Sequence, residues 1–96
     1  MAERLLSADE IAARLATLDA WHVIDDKLRK DYHFPDFEAT MAFVNAVAWV
    51  ARCQDHHPDL AVGYGNCRVE YITHSAGGLT KRDFDGAAGI DALARL

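Results

Sequence analysis

Ninety-six residues, 51% of them hydrophobic, leave room for one domain (residues 1–96) and one core. A net charge of −5 with scattered basic residues argues against nucleic acid or an anionic membrane as a partner, since both select clustered Lys and Arg. Cys53 and Cys67 share no CxxC spacing and make no disulfide framework, which fits a reducing cytoplasm. No apolar run approaches the ~18 residues of a membrane span, and Met1-Ala2-Glu3-Arg4 leads into no signal-like segment. A chain this short buries only roughly 60–65% of its unfolded surface, so a self-associating face is a natural supplement.

In chain order, Ser7-Ala8-Asp9-Glu10 reads as a capping box, and Ile11, Leu15 and Leu18 supply a narrow apolar stripe for a first helix ending near Asp19-Ala20. Trp21 to Ile24 and Leu28 to Phe34, around Asp25-Asp26, read as two strands. Leu28, Tyr32 and Phe34 share one parity, opposite Arg29, Asp31 and His33, so one face is buried and one wet; Lys30 breaks the pattern. Asp36 is a good N-cap for a helix from Phe37 to Gln54, which is apolar nearly all round. One sheet cannot cover such a helix. Trp49, or whichever of Phe43, Val47 and Val50 faces away from the sheet, is therefore expected to meet another subunit. Leu60–Tyr64 and Cys67–Thr73 flank Gly65-Asn66, a two-residue hairpin signal. After a Ser75–Gly78 loop, Thr80 caps a last helix that Gly86 and Gly89 weaken but open to close approach. The order α-β-β-α-β-β-α predicts an α+β domain with a four-stranded antiparallel sheet.

Chemistry concentrates around the second hairpin, in Asp55-His56-His57-Pro58 before it and in His74 and Arg82-Asp83 after it. Pro58 pushes His57 out of helical geometry, so both imidazoles lie in a turn at a helix C-terminus, where the dipole favours the charged ring and a charged neighbour opposes it. Such a pair can offer one acid and one base near neutrality. The bland alternative is that His56 caps the helix, His57 and His74 are solvated, and Asp83 completes a capping box with Thr80. Arg82 at a helix N-terminus opposes the dipole and calls for a partner or a ligand anion. Zinc is not expected: adjacent His-His ligation is awkward on a turn, and no Cys or Glu stands at a familiar ligand spacing. Cys53 has no sign of activation as a nucleophile.

The run His56-His57-Pro58, then Tyr64, His74 and Asp83, resembles the pterin-4a-carbinolamine dehydratase family, also known as dimerisation cofactors of a homeodomain transcription factor. The resemblance extends nearly end to end, through Leu6-Ser7-Ala8-Asp9-Glu10, Trp21, Tyr32-His33-Phe34-Pro35-Asp36-Phe37 and Gly78-Leu79-Thr80-Lys81-Arg82-Asp83. It implies three helices on one face of the sheet, and a homodimer joined edge to edge or a homotetramer paired through the long helix. The implied reaction is dehydration of a 4a-hydroxytetrahydropterin to quinonoid dihydropterin, the tetrahydrobiopterin-recycling step that follows aromatic amino-acid hydroxylation, with no metal or other cofactor. By position, His56, His57 and His74 are the implied catalytic and pterin-contacting residues. Trp21 and Pro58 would line the pocket, with Arg82 and Asp83 close by and Asp83 fixing an imidazole tautomer. Two positions depart from the family pattern: Arg52 stands where an acidic residue is common, and Leu60 where many members carry an aromatic. A non-catalytic dimeric assembly module of the same fold is the competing expectation.

Overall fold

The Ser7 capping box forms: the Ser7 hydroxyl accepts from the Glu10 amide, and the Glu10 carboxylate accepts from the Ser7 amide. Arg4 grips the same carboxylate through two 2.9 Å bonds and holds its pKa down to about 2. The helix so started, α1 (Ala8–Leu15), stops sooner than its apolar stripe suggests. The chain turns at Ala16, and Lys30 captures the Asp19 carbonyl at 2.8 Å, so Leu18 reaches the core from a turn. The computed structural model describes residues 3–94, and the elements follow the expected order. After α1 come β1 (His22–Ile24), β2 (Lys27–His33), α2 (Phe37–Gln54), β3 (Asp59–Val62), β4 (Asn66–Tyr71) and α3 (Lys81–Ala94).

The four strands form one antiparallel sheet in the order β1-β2-β4-β3. Asp25 and Asp26 both take positive φ, 53° and 61°, the geometry a two-residue hairpin turn needs. Leu28 and Tyr32 of β2 and Cys67, Val69 and Tyr71 of β4 face the helices and are buried. On the other face, Arg29 pairs with Glu70 at 2.7 Å and Arg68 with Asp31 at 2.9 Å across neighbouring strands. The Arg68 guanidinium holds the Asp31 carboxyl below its usual range. All three helices add apolar side chains to the single buried cluster, α2 through Phe43 and Val47 and α3 through Phe84, Ala87 and Ile90.

Lys30 breaks the buried parity of β2 because its partner lies inside. Its ammonium reaches the Asp91 carboxylate of α3 at 3.0 Å, and Tyr32 and Trp21 donate to the same carboxylate. Four side chains thus satisfy one another where water cannot.

The second hairpin differs from expectation by two residues. Val62, not Tyr64, sits opposite Cys67, and Tyr64-Gly65 occupy the tip closed by the 2.9 Å bond from the Gly63 amide to the Asn66 carbonyl. Tertiary contacts set this register. Phe34 donates to the Gly65 carbonyl at 2.8 Å, Thr40 donates to the Tyr64 carbonyl at 2.9 Å, and a Cβ on Gly65 would fall 2.8 Å from the Phe34 oxygen. A shift of two keeps every side chain on its face.

Burial raises the Tyr71 phenol to about 12 and pushes Tyr32 higher, the latter helped by its bond to Asp91. Both pKa values are raised on folding from an ordinary 10.0, so their contribution to stability is complete below pH 10 and declines as pH rises toward 12. The Tyr71 share of that decline is on the order of 2 kcal/mol. Urea unfolding across this range should show the loss. Tyr71→Phe should flatten the slope and cost nothing at neutral pH, because the Tyr71 hydroxyl is buried without a hydrogen-bond partner among the described residues.

Candidate active site

Helix α2 ends at Asp55, whose left-handed backbone (φ 50°) turns the chain so that His56 folds back under the helix. The His56 amide still donates to the Ala51 carbonyl at 3.1 Å, and its ring is nearly buried at 9% residual exposure. That ring stacks on Tyr71 of β4, 5.5 Å between centroids and 18° between planes. Its Nε2 meets the Asp83 Oδ1 at 2.7 Å.

Asp83 is wholly buried. Its other oxygen, Oδ2, accepts from the Thr73 hydroxyl at 2.8 Å and from the Thr80 amide at 2.9 Å. The Thr80 hydroxyl in turn accepts from the Arg82 amide at 3.2 Å. Asp83 therefore closes the cap of α3 with one oxygen and meets His56 with the other. One carboxylate ties the end of α2, the end of β4 and the start of α3 together.

Arg82 also has its partners. Its guanidinium donates to the Asp55 carbonyl at the C-terminus of α2, where the dipole favours a cation, and lies 3.5 Å from the Glu3 carboxylate. These contacts offset its unfavourable place at the start of α3.

Beside this group lies a cavity of about 340 Å³ lined by Gln54, His56, Arg82 and Asp85, within the size range of small-ligand sites. Gln54 donates to the Asp85 carbonyl at 3.1 Å, joining the two helices across it. All four lining side chains are polar.

The structure brings together His56, Arg82 and Asp83 of the residues singled out from sequence. His57 is exposed in the turn leading to Pro58, which is half-buried ahead of β3. His74 does not end a strand: it opens a 3-10 turn (His74–Ala76) and is exposed, next in the chain to the Thr73 that bonds Asp83. Trp21 lies in the core, 5% exposed, with its indole N–H on Asp91 at 3.0 Å. Its ring centroid is 6.5 Å from that of Tyr71, one aromatic layer behind His56. Arg52 is exposed on α2. Sequence reasoning passed over Thr73, Gln54 and Asp85. In sequence Thr73 is only the last residue of a strand, and nothing local marks the other two.

A sequence profile of the Pterin 4 alpha carbinolamine dehydratase family matches residues 4–93. The chain belongs to this family. A relative from Nitrosospira multiformis, provisionally named a pterin-4-alpha-carbinolamine dehydratase, is 48% identical over 91 residues, covering 95% of this chain and 80% of its own. One from Chromobacterium violaceum with the same provisional name is 47% identical over 90 residues, covering 94% and 83%. Among solved structures, a transcriptional coactivator/pterin dehydratase from Brucella melitensis superposes with a TM-score of 0.90 at 30% identity, over 95% of this chain and 99% of that one. A pterin dehydratase-like protein described as a RuBisCO assembly factor of the alpha-carboxysome shares the fold, with a TM-score of 0.67 at 24% identity over 79% and 90%.

The site depends on close packing behind it. A Cβ on Gly86 would fall 2.5 Å from the buried Tyr71 ring that supports His56, whereas one on Gly89 would meet Val50 and the flexible end of Gln54 at 3.0–3.1 Å. Gly86→Ala should therefore destabilise by about 1–3 kcal/mol despite the helix propensity gained. Gly89→Ala should lie within about 1 kcal/mol of wild type. Denaturant midpoints of the two variants check the contrast.

Proposed function

We propose that this chain dehydrates a 4a-hydroxytetrahydropterin to quinonoid dihydropterin, as a hydro-lyase that uses histidines for proton transfer. The observation that carries this reading is the buried His56–Asp83 pair opening on a polar cavity in a member of this family. The reaction breaks the bond between C4a and the hydroxyl oxygen, which leaves as water after taking a proton from a general acid. A base removes the proton of the neighbouring ring nitrogen, and the freed electron pair closes a carbon–nitrogen double bond. No electrons are gained or lost, so two imidazoles, one protonated and one neutral, suffice as acid and base.

His56 is held for such a role by Asp83 behind it and Tyr71 beneath it. His74 supplies the second imidazole from the exposed turn beyond β4, with one of the two acting at the hydroxyl and the other at the ring nitrogen. His57 binds or orients the pterin. Arg82 faces the cavity while anchored to Asp55, where its positive charge favours a carbonyl or developing negative charge on the substrate. The place in metabolism that follows is regeneration of the pterin consumed by an aromatic amino-acid hydroxylase, in the cytoplasm. No described helix is long and apolar enough to cross a membrane.

Stopped-flow dehydration of a synthetic carbinolamine decides the matter. Wild type should accelerate the reaction, and His56→Ala and His74→Ala should each lower turnover by roughly 10²-fold or more. A His74→Ala variant within about threefold of wild type removes His74 from the mechanism, and a wild type no faster than buffer removes the activity.

Self-association belongs to the dehydratase reading and to a non-catalytic assembly module alike, and one feature of α2 bears on it. Phe43 and Val47 are buried in the core and Val50 is half-buried against it, but Trp49 stands 65% exposed. We assign Trp49 to an interface between copies of this chain, as the dimer or tetramer of the first reading also requires. Sedimentation at low micromolar concentration should find no monomer for wild type, and Trp49→Glu should give smaller species.

A further inference from the structure

The hydrogen bonds behind Asp83 run in one direction. The Asp83 Oδ2 accepts from the Thr73 hydroxyl, which has only one proton to give. The 2.8 Å bond between the Thr73 and Thr80 hydroxyls must then be donated by Thr80. Thr80 in turn accepts from the Arg82 amide at 3.2 Å. The chain therefore reads Arg82 N–H to Thr80 O–H to Thr73 O–H to Asp83, with the Thr80 amide as a second donor to the same oxygen. Both threonines and Asp83 are buried, so no solvent competes for these positions. A carboxylate with two donors on one oxygen is an acceptor at the other as well, and His56 is the group that faces it. His56 then carries a proton on Nε2, and in the neutral ring Nδ1 is the bare nitrogen.

We propose that Thr73 and Thr80 are positioning residues that aim the Asp83 carboxylate and so fix His56 in the Nε2–H form, making Nδ1 the atom that exchanges a proton with the substrate. This rests on the dehydratase reading for its catalytic consequence, but not for the state of the ring. The chain also joins the two sides of the site: Thr73 precedes His74, and Thr80 donates its amide beside Arg82. Loosening Thr73 frees the Asp83 carboxyl to rotate or to take up a proton, and either change lets the His56 proton move to Nδ1. A histidine with the wrong nitrogen bare is correctly placed but inert, and the loss falls on kcat rather than on KM.

Ring-nitrogen NMR shifts of His56, recorded on the full chain beside the dehydration assay, test this. Wild type should show Nε2 protonated and Nδ1 bare. Thr73→Val, which keeps the shape and removes the hydroxyl, should lose that pattern and lower kcat by about tenfold or more at near-constant KM. Thr73→Ser should restore both to within about threefold. Should Thr73→Val fail to fold, Thr80→Ala serves instead, since it keeps the amide donor to Asp83 and removes the hydroxyl that feeds Thr73 and accepts from the Arg82 amide. A neutral wild-type ring protonated on Nδ1 with Nε2 bare overturns the proposal, as does a folded Thr73→Val or Thr80→Ala that keeps the wild-type ring pattern. A wild type with the expected ring pattern but no turnover overturns the dehydratase reading instead, and the ring measurements still decide the role of the threonines.

Discussion

A charge without water has to be met by donors, and in this protein that requirement falls on Asp83. Its carboxylate is wholly buried, and it is satisfied only because three separate pieces of chain arrive at it: His56 from the end of α2, Thr73 from the end of β4, and the Thr80 amide at the start of α3. Removing one donor leaves a buried anion short of partners, which is far more costly than the bond is worth when made. The carboxylate is thus a constraint on the fold as much as a feature of the site. It fixes where the chain may go after α2 and after β4, and those two places carry the histidines.

Helix α3 repeats the device. Asp83 and Asp91 both face inward, and each collects side chains from distant parts of the chain, Asp83 for the cavity and Asp91 for the core through Trp21, Lys30 and Tyr32. Between them Gly86 lets the Tyr71 ring lie against the helix, and that ring supports His56 from below and Trp21 from the side. Core and site are therefore one packed body. Trp21 lies one aromatic layer behind His56, with Tyr71 between them.

Fold and family were legible in the chain because local signals there agree with one another. Capping at Ser7 and Asp36, the parity of β2 and β4, and the long apolar run of α2 each point to the same arrangement. Local rules failed where a distant group overruled them. Gly65-Asn66 is a sound hairpin signal, yet Phe34 and Thr40 hold the Tyr64-Gly65 tip from outside the hairpin and move the register by two. Lys30 looked like a blemish in a strand because its partner, Asp91, lies 61 residues away. The bond that holds Trp21 in the core, its indole N–H on Asp91, leaves no trace in neighbouring sequence.

By itself the sequence determined the succession of helices and strands, the alternation along β2 and β4, the family, and the short list of groups able to move protons. Periodicity, capping and residue chemistry are properties of neighbours along a chain, and they survive without coordinates. Only the tertiary structure decided which nitrogen of which histidine meets Asp83, that two threonines stand behind that carboxylate, and that Gln54 and Asp85 help to wall the cavity. Those contacts join residues brought together by packing, and hydrogen-bond direction is set by the whole network of donors, so no local stretch contains it.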